Sequence, residues 1–152
     1  MDWVLTAPEG MRIWFLRGLA DSDGDVDFRD RSVSITSQPN TDLVSRLLSS
    51  LGIHNSISCE NKRDMARVSL SVSDALRIGI FNPSIMTHRR KLLERLANAR
   101  TFPRHWPLWL EARVETLLSQ KLGLREVCET LLEERNVYVK YNTLKRKRQR
   151  ML

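Results

Sequence analysis

Residues 16–24 read Leu16-Arg17-Gly18-Leu19-Ala20-Asp21-Ser22-Asp23-Gly24, and this stretch decides the fold. From Met11 to Asp23 the apolar residues Ile13, Trp14, Phe15, Leu16 and Leu19 predict a helix with a broad buried face, ended by Gly24. Gly18 and Ser22, four residues apart, make a stripe of small residues on one side, where another helix can approach closely. Asp23 falls where the last carbonyls of the helix and the negative end of its dipole gather, so a carboxylate there is unfavourable unless a cation joins it. Oxygen ligands at a helix end favour a hard ion such as Mg²⁺. The run from Asp21 to Asp27 begins like a calcium loop, but Val26 stands where the sixth-position glycine belongs and Ser32 where the bidentate glutamate belongs, which argues against calcium.

Downstream the period changes. Val26 to Phe28 and Val33 to Thr36 alternate apolar with polar about the turn Arg29-Asp30-Arg31, predicting a hairpin. Asn40 or Thr41 can cap a second helix on Leu43, Val44, Leu47, Leu48 and Leu51, with Gly52 as its stop. Strands from Ile53 to Cys59 and from Arg67 to Val72 follow. Ser73-Asp74 is expected to cap a short helix, Pro83 interrupts, and a basic helix from His88 to Ala99 turns Leu92, Leu93 and Leu96 inward. The order α-β-β-α-β-β-α describes an α+β domain with an antiparallel sheet covered on one face by helices.

The segment Thr101 to Pro107 holds two prolines and no periodicity, and marks a boundary between domains at 1–100 and 101–152. The second domain reads as all helix: a stripe of Leu110, Val114, Leu117 and Leu118 closed by Gly123, a helix from Leu124 to about Arg135, and a basic helix from Tyr141 to Met151. Three short helices ending on a basic one suggest a helix-turn-helix module, and Val137, Val139 and Leu144 give it something to bury.

The 152 residues are 41% hydrophobic and 28% charged, a globular composition. No apolar run is long enough for a membrane span and the N-terminus lacks the basic start of a signal peptide, so the expectation is a soluble, intracellular protein with no membrane partner, resident wherever its target lies, in cytoplasm, nucleoid or organelle. Cys59 and Cys128 are expected to be buried, reduced thiols. Residues 1–58 hold 5 basic and 8 acidic side chains, net −3, whereas residues 59–152 hold 20 and 10, net +10. So concentrated an excess points to a polyanion, most often nucleic acid.

Residues 16–24, after Trp14-Phe15 and before an alternating hairpin, resemble the signature of the LAGLIDADG homing endonucleases. Gly18, Leu19, Asp21, Asp23 and Gly24 match it, and the element order over residues 11–99 is similar to that family's. Arg17 and Ala20 depart from the commonest letters at positions where the family varies. The resemblance implies that two such helices pack together and that the second acid of each motif holds divalent metal, Mg²⁺ or Mn²⁺, for cleavage of double-stranded DNA. Asp23 is then the metal ligand with the Ser22 carbonyl as a second, Asp21 is more structural, and Gly18 and Ser22 line the seam. A single motif in the chain calls for a homodimer. The same resemblance puts basic catalytic residues near the start of the last helix of the domain, where His88, Arg89, Arg90 and Lys91 lie, with Arg89 and Lys91 the chosen candidates. It also lets a polar residue at a strand end, Ser37 or Gln38, orient water.

If the apolar strand faces pack on the helices, the opposite face presents Asp25, Asp27, Arg29, Arg31, Ser34, Thr36, Ser58, Glu60, Lys62, Arg67 and Ser69 to the major groove. Its basic members Arg29, Arg31, Lys62 and Arg67 are candidate DNA contacts. In the C-terminal module Lys140, Tyr141, Asn142, Lys145, Arg146 and Arg148 are candidates for phosphates or base edges. The expected function is site-specific DNA cleavage; the alternative is a DNA-binding regulator that keeps the fold without cleaving.

Overall fold

The structure is a computed structural model and describes residues 2–60 and 65–152. After a 3-10 helix at Asp2–Thr6 come α1 (Glu9–Asp23), β1 (Gly24–Asp27), β2 (Ser32–Ile35), α2 (Thr41–Ser50), β3 (Asn55–Glu60), β4 (Met65–Ser71), α3 (Val72–Arg77) and α4 (Thr87–Ala97). Three further helices follow, α5 (Leu108–Ser119), α6 (Leu124–Arg135) and α7 (Tyr141–Met151). The fold is the expected α+β one. The chain divides into two compact units, one of Met1–Asp27 with Arg31–Leu93, the other of Phe28–Asp30 with Glu94–Leu152.

In the first unit all strand pairs are antiparallel and the sheet order is β1-β2-β4-β3. Strand alternation sorts the residues by face. Val26, Val33 and Leu70 form one inner row; Ile35 and Val68 belong to the next, and all five are buried. Helix α2 packs on β3 and β4 and buries Leu43, Val44, Leu47 and Leu48. The outer face is short-chained, with the row Asp25, Ser34, Ser69, Ser56 beside Asp27, Ser32, Ser71.

Several expectations are corrected. Helix α1 buries only Leu16 and Ala20, while Trp14 is 74% exposed and Ile13, Phe15 and Leu19 are half-buried. Its apolar residues fall on two opposite faces of the helix, and only one meets the sheet. Ser71, not Ser73, caps α3, its hydroxyl accepting from the Asp74 N–H at 3.1 Å. Gly123 does not close α5, which ends at Ser119; it opens α6, where its N–H donates to the Glu126 carboxylate. Cys128 is buried, but Cys59 is exposed on β3 at the edge of the sheet.

The second unit buries Leu110, Val114, Leu117, Val127, Leu131, Leu132 and Leu144 among its helices. Arg113 grips Glu134 with Nε and Nη2 at 2.8 and 2.5 Å, which holds that carboxyl below its ordinary range. Asn136, in the left-handed conformation, ends α6. The next residues are buried, Val137, Tyr138 and Val139, and the Tyr138 hydroxyl donates to the Phe28 carbonyl at 2.6 Å.

Candidate functional site

Helix α1 runs directly into β1, and the turn depends on Gly24. The Gly24 N–H donates to the Ala20 carbonyl and the Thr36 N–H donates to the Asp23 carbonyl at 3.1 Å. At φ −92° any residue would be comfortable. Space is what requires glycine, since a Cβ would lie 2.5 Å from the Ala20 carbonyl oxygen. The Asp23 side chain is left exposed at the C-terminal end of the helix, against the negative end of its dipole. The Ser22 hydroxyl donates back to the carbonyls of Leu19 and Gly18 at 3.1 and 3.4 Å, so it stays folded on its own helix. Beside it, a Cβ on Gly18 would meet nothing within 4 Å.

Asp21 faces another way. Its carboxylate accepts from the Asn82 N–H at 3.4 Å. The strap from Ile78 to Asn82 that delivers this N–H is held by two arginines, Arg17 donating Nε to the Ile78 carbonyl at 2.7 Å and Arg90 donating Nη1 to the Ile80 carbonyl at 3.1 Å. Arg17 lies so close over the strap that a Cβ on Gly79 would come 2.6 Å from its Nη2, and Gly79 has φ +72°. Phe81, fully buried, takes φ +63°, a conformation that costs a bulky residue about 1–2 kcal/mol. Burial of its ring offsets that cost. Arg17, which departs from the commonest letter of the motif, therefore joins Asp21 in tying the motif helix to the strap.

Of the basic candidates, Arg89 is brought to the acidic hairpin. Its Nε is 4.0 Å from an Asp25 carboxylate oxygen, and its guanidinium lies 5.9 Å above the Phe81 ring. Arg90 is engaged with the strap. His88 and Lys91 are exposed, and Lys91, two residues from Arg89, points from a different side of α4. Gln38 is exposed beyond the end of β2, whereas Ser37 is buried. In the sequence, Asp25 is signalled as a partner for Arg89 only by its place on the outer sheet face.

On that face Arg67 sits 3.8 Å from Asp27. Arg29 is exposed in the hairpin turn and Arg31 is half-buried with φ +52°. Lys62 lies outside the described residues. In α7, Asn142, Lys145 and Arg146 are exposed along one side, with Gln149 one turn on and Lys140 exposed just before the helix. Tyr141 is half-buried, and Arg148 donates Nη2 to the Leu122 carbonyl. Lys147, 3.5 Å from Glu115 and over the Trp106 ring, is likewise turned to its own unit.

A family model described as LAGLIDADG-like domain matches residues 10–102, which include the motif helix, the whole sheet and α4. The chain belongs to the LAGLIDADG family. No curated protein and no solved structure is matched. The family is of the homing-endonuclease type and binds DNA. Among the described residues no three acidic, histidine or cysteine side chains converge as metal ligands do, and no helix is long and apolar enough to cross a membrane. The chain thus offers an exposed Asp23 beside the last carbonyl oxygens of its helix, oxygen donors of the kind a hard ion such as Mg²⁺ takes.

Proposed function

We propose that this LAGLIDADG protein is a metal-dependent, site-specific endonuclease of double-stranded DNA that acts as a homodimer across the Gly18/Ser22 stripe of α1. The observation that carries the reading is Asp23, an exposed carboxylate held at the C-terminal end of the motif helix by a turn that only glycine fits. A helix end repels an anion, so the arrangement is unfavourable until a cation is shared there. Mg²⁺ or Mn²⁺, held by Asp23 and the Ser22 carbonyl of both protomers, would supply charge stabilisation to the attacking water and leaving oxygen of phosphodiester hydrolysis.

The remaining roles belong to the chain's own side chains. Arg89, aligned by Asp25 and by the Phe81 ring, offsets charge developing on the phosphate. Lys91 adds positive potential and Gln38 orients water. Asp21 holds the motif helix to the strap. The second unit acts as a helix-turn-helix, with Lys140, Asn142, Lys145 and Arg146 presented to the duplex; Tyr141 and Arg148 support the helix from its inner side.

The test begins with duplexes selected from a random library for tight binding, then incubated with protein in Mg²⁺, Mn²⁺ or chelator. Wild type should cut both strands only with metal, and Asp23→Asn should lower the cleavage rate by orders of magnitude while binding survives. A wild type that binds one site tightly and leaves it intact in both metals would make this a DNA-binding regulator instead. A mutant cutting at the wild-type rate would remove Asp23 from the site.

A further inference from the structure

The N-terminal half of α1 carries an apolar surface that its own unit leaves uncovered. Trp3 is 63% exposed, Met11 54% and Trp14 74%. With Val4, Ala7 and Phe15 they line a cavity of about 210 Å³ between the 3-10 helix and α1. A pocket for a cofactor or drug-sized ligand measures roughly 300–1,000 Å³ and carries a few convergent polar groups. This cavity is smaller and walled by apolar and aromatic side chains alone, a seat for one large side chain.

Its position says whose side chain. Met11, Trp14, Gly18 and Ser22 follow one another at intervals of three, four and four residues, so they share the outer face of α1. Trp14 lies about 6 Å along the axis from Gly18. A helix seated against Gly18 and Ser22 therefore passes Trp14 within a turn. The area argument agrees. A stable interface needs about 800 Å² from each partner, which a seam of glycine and serine cannot supply, whereas a tryptophan contributes roughly 150–250 Å². A two-fold axis brings a patch onto itself, so a patch holding both an apolar cavity and a protruding tryptophan is complementary to its own copy.

We infer that this cavity receives the partner's Trp14, so that the dimer is closed by a reciprocal tryptophan clasp at the N-terminal ends of the motif helices, away from Asp23. The inference rests on the homodimer proposed above, and Trp3 separates the two because it lies on the 3-10 helix, outside the Gly18/Ser22 stripe. Sedimentation equilibrium of the full chain without DNA should find a dimer whose tryptophan emission shifts to the red on dilution. Trp3→Ala and Trp14→Ala, both at exposed positions, should each raise the dimer dissociation constant on the order of tenfold or more with unchanged circular dichroism. A wild-type dimer that Gly18→Leu dissociates but neither tryptophan variant weakens would overturn the clasp and leave the seam standing. A dimer indifferent to Gly18→Leu yet weakened by Trp3→Ala would keep the clasp and remove the seam. A wild type monomeric at micromolar concentration would remove both.

Discussion

Close approach, more than conformation, governs the critical residues. At Gly24 the backbone angle is ordinary and the forbidden element is a methyl group 2.5 Å from the Ala20 carbonyl oxygen. Gly24→Ala should therefore push β1 away from the end of α1 and cost about 1–3 kcal/mol, typical of overpacking, read as a lowered midpoint in chemical denaturation. The same substitution at Gly18, open on its outer side, should leave the stability of the folded chain within about 1 kcal/mol, since alanine favours the helix. The cysteines offer a second contrast. Burial pushes the Cys128 thiol up to about 12, with Glu129 adding to the shift, and Cys59 is exposed. At neutral pH the nucleophilic thiolate of Cys128 is negligible, so a thiol reagent should label one cysteine in native protein and two in denaturant. Rapid native labelling of both would mean that α6 opens readily.

Among the elements, the short segments are held by specific polar contacts and the long ones by burial. The segment joining α6 to α7 is tied by Tyr138, whose buried hydroxyl donates to the Phe28 carbonyl, and by exchange of backbone hydrogen bonds with Arg100. Tyr138→Phe keeps the ring and leaves that carbonyl without this donor, at a cost of about 1–3 kcal/mol in thermal or denaturant unfolding. A change below a few tenths would show that water replaces the bond without penalty. Helix α7 depends instead on Leu144, fully buried, with Arg148 and Lys147 directed toward its own unit. That division sorts its cations: five basic residues in the helix are not five DNA contacts. Lys145, Arg146 and Arg150 are exposed, and the other two support the helix.

At the scale of the molecule, the charge asymmetry separates acid at the motif and hairpin from base in the second half. Replacing Lys145, Arg146 and Arg150 together by alanine should lower DNA affinity and reduce the slope of log affinity against log salt by up to about three, because each neutralised phosphate contributes roughly 0.9. An unchanged slope would mean that the second unit serves a partner other than DNA. Cleavage at saturating DNA should be far less affected than binding, since these residues belong to α7 of the second unit and not to the motif helix.

What the sequence by itself determined about this protein is whatever local spacing encodes. The helix ended at Gly24, the alternating hairpin, the leucine stripes of α2, α4 and α5, and the Leu-Arg-Gly-Leu-Ala-Asp-Ser-Asp-Gly run that carries the LAGLIDADG family are readable because period and turn chemistry depend on neighbours in the chain. Tertiary structure alone decided which of the two apolar faces of α1 meets the sheet, since periodicity reports that a face is apolar and not what covers it. It also decided that Arg89 meets the acidic hairpin, that Arg148 turns to Leu122, and that Cys59 sits on an edge strand. These depend on residues far apart in sequence, Asp25 with Arg89 and Leu122 with Arg148 among them, and such pairings exist only once the sheet and helices have packed.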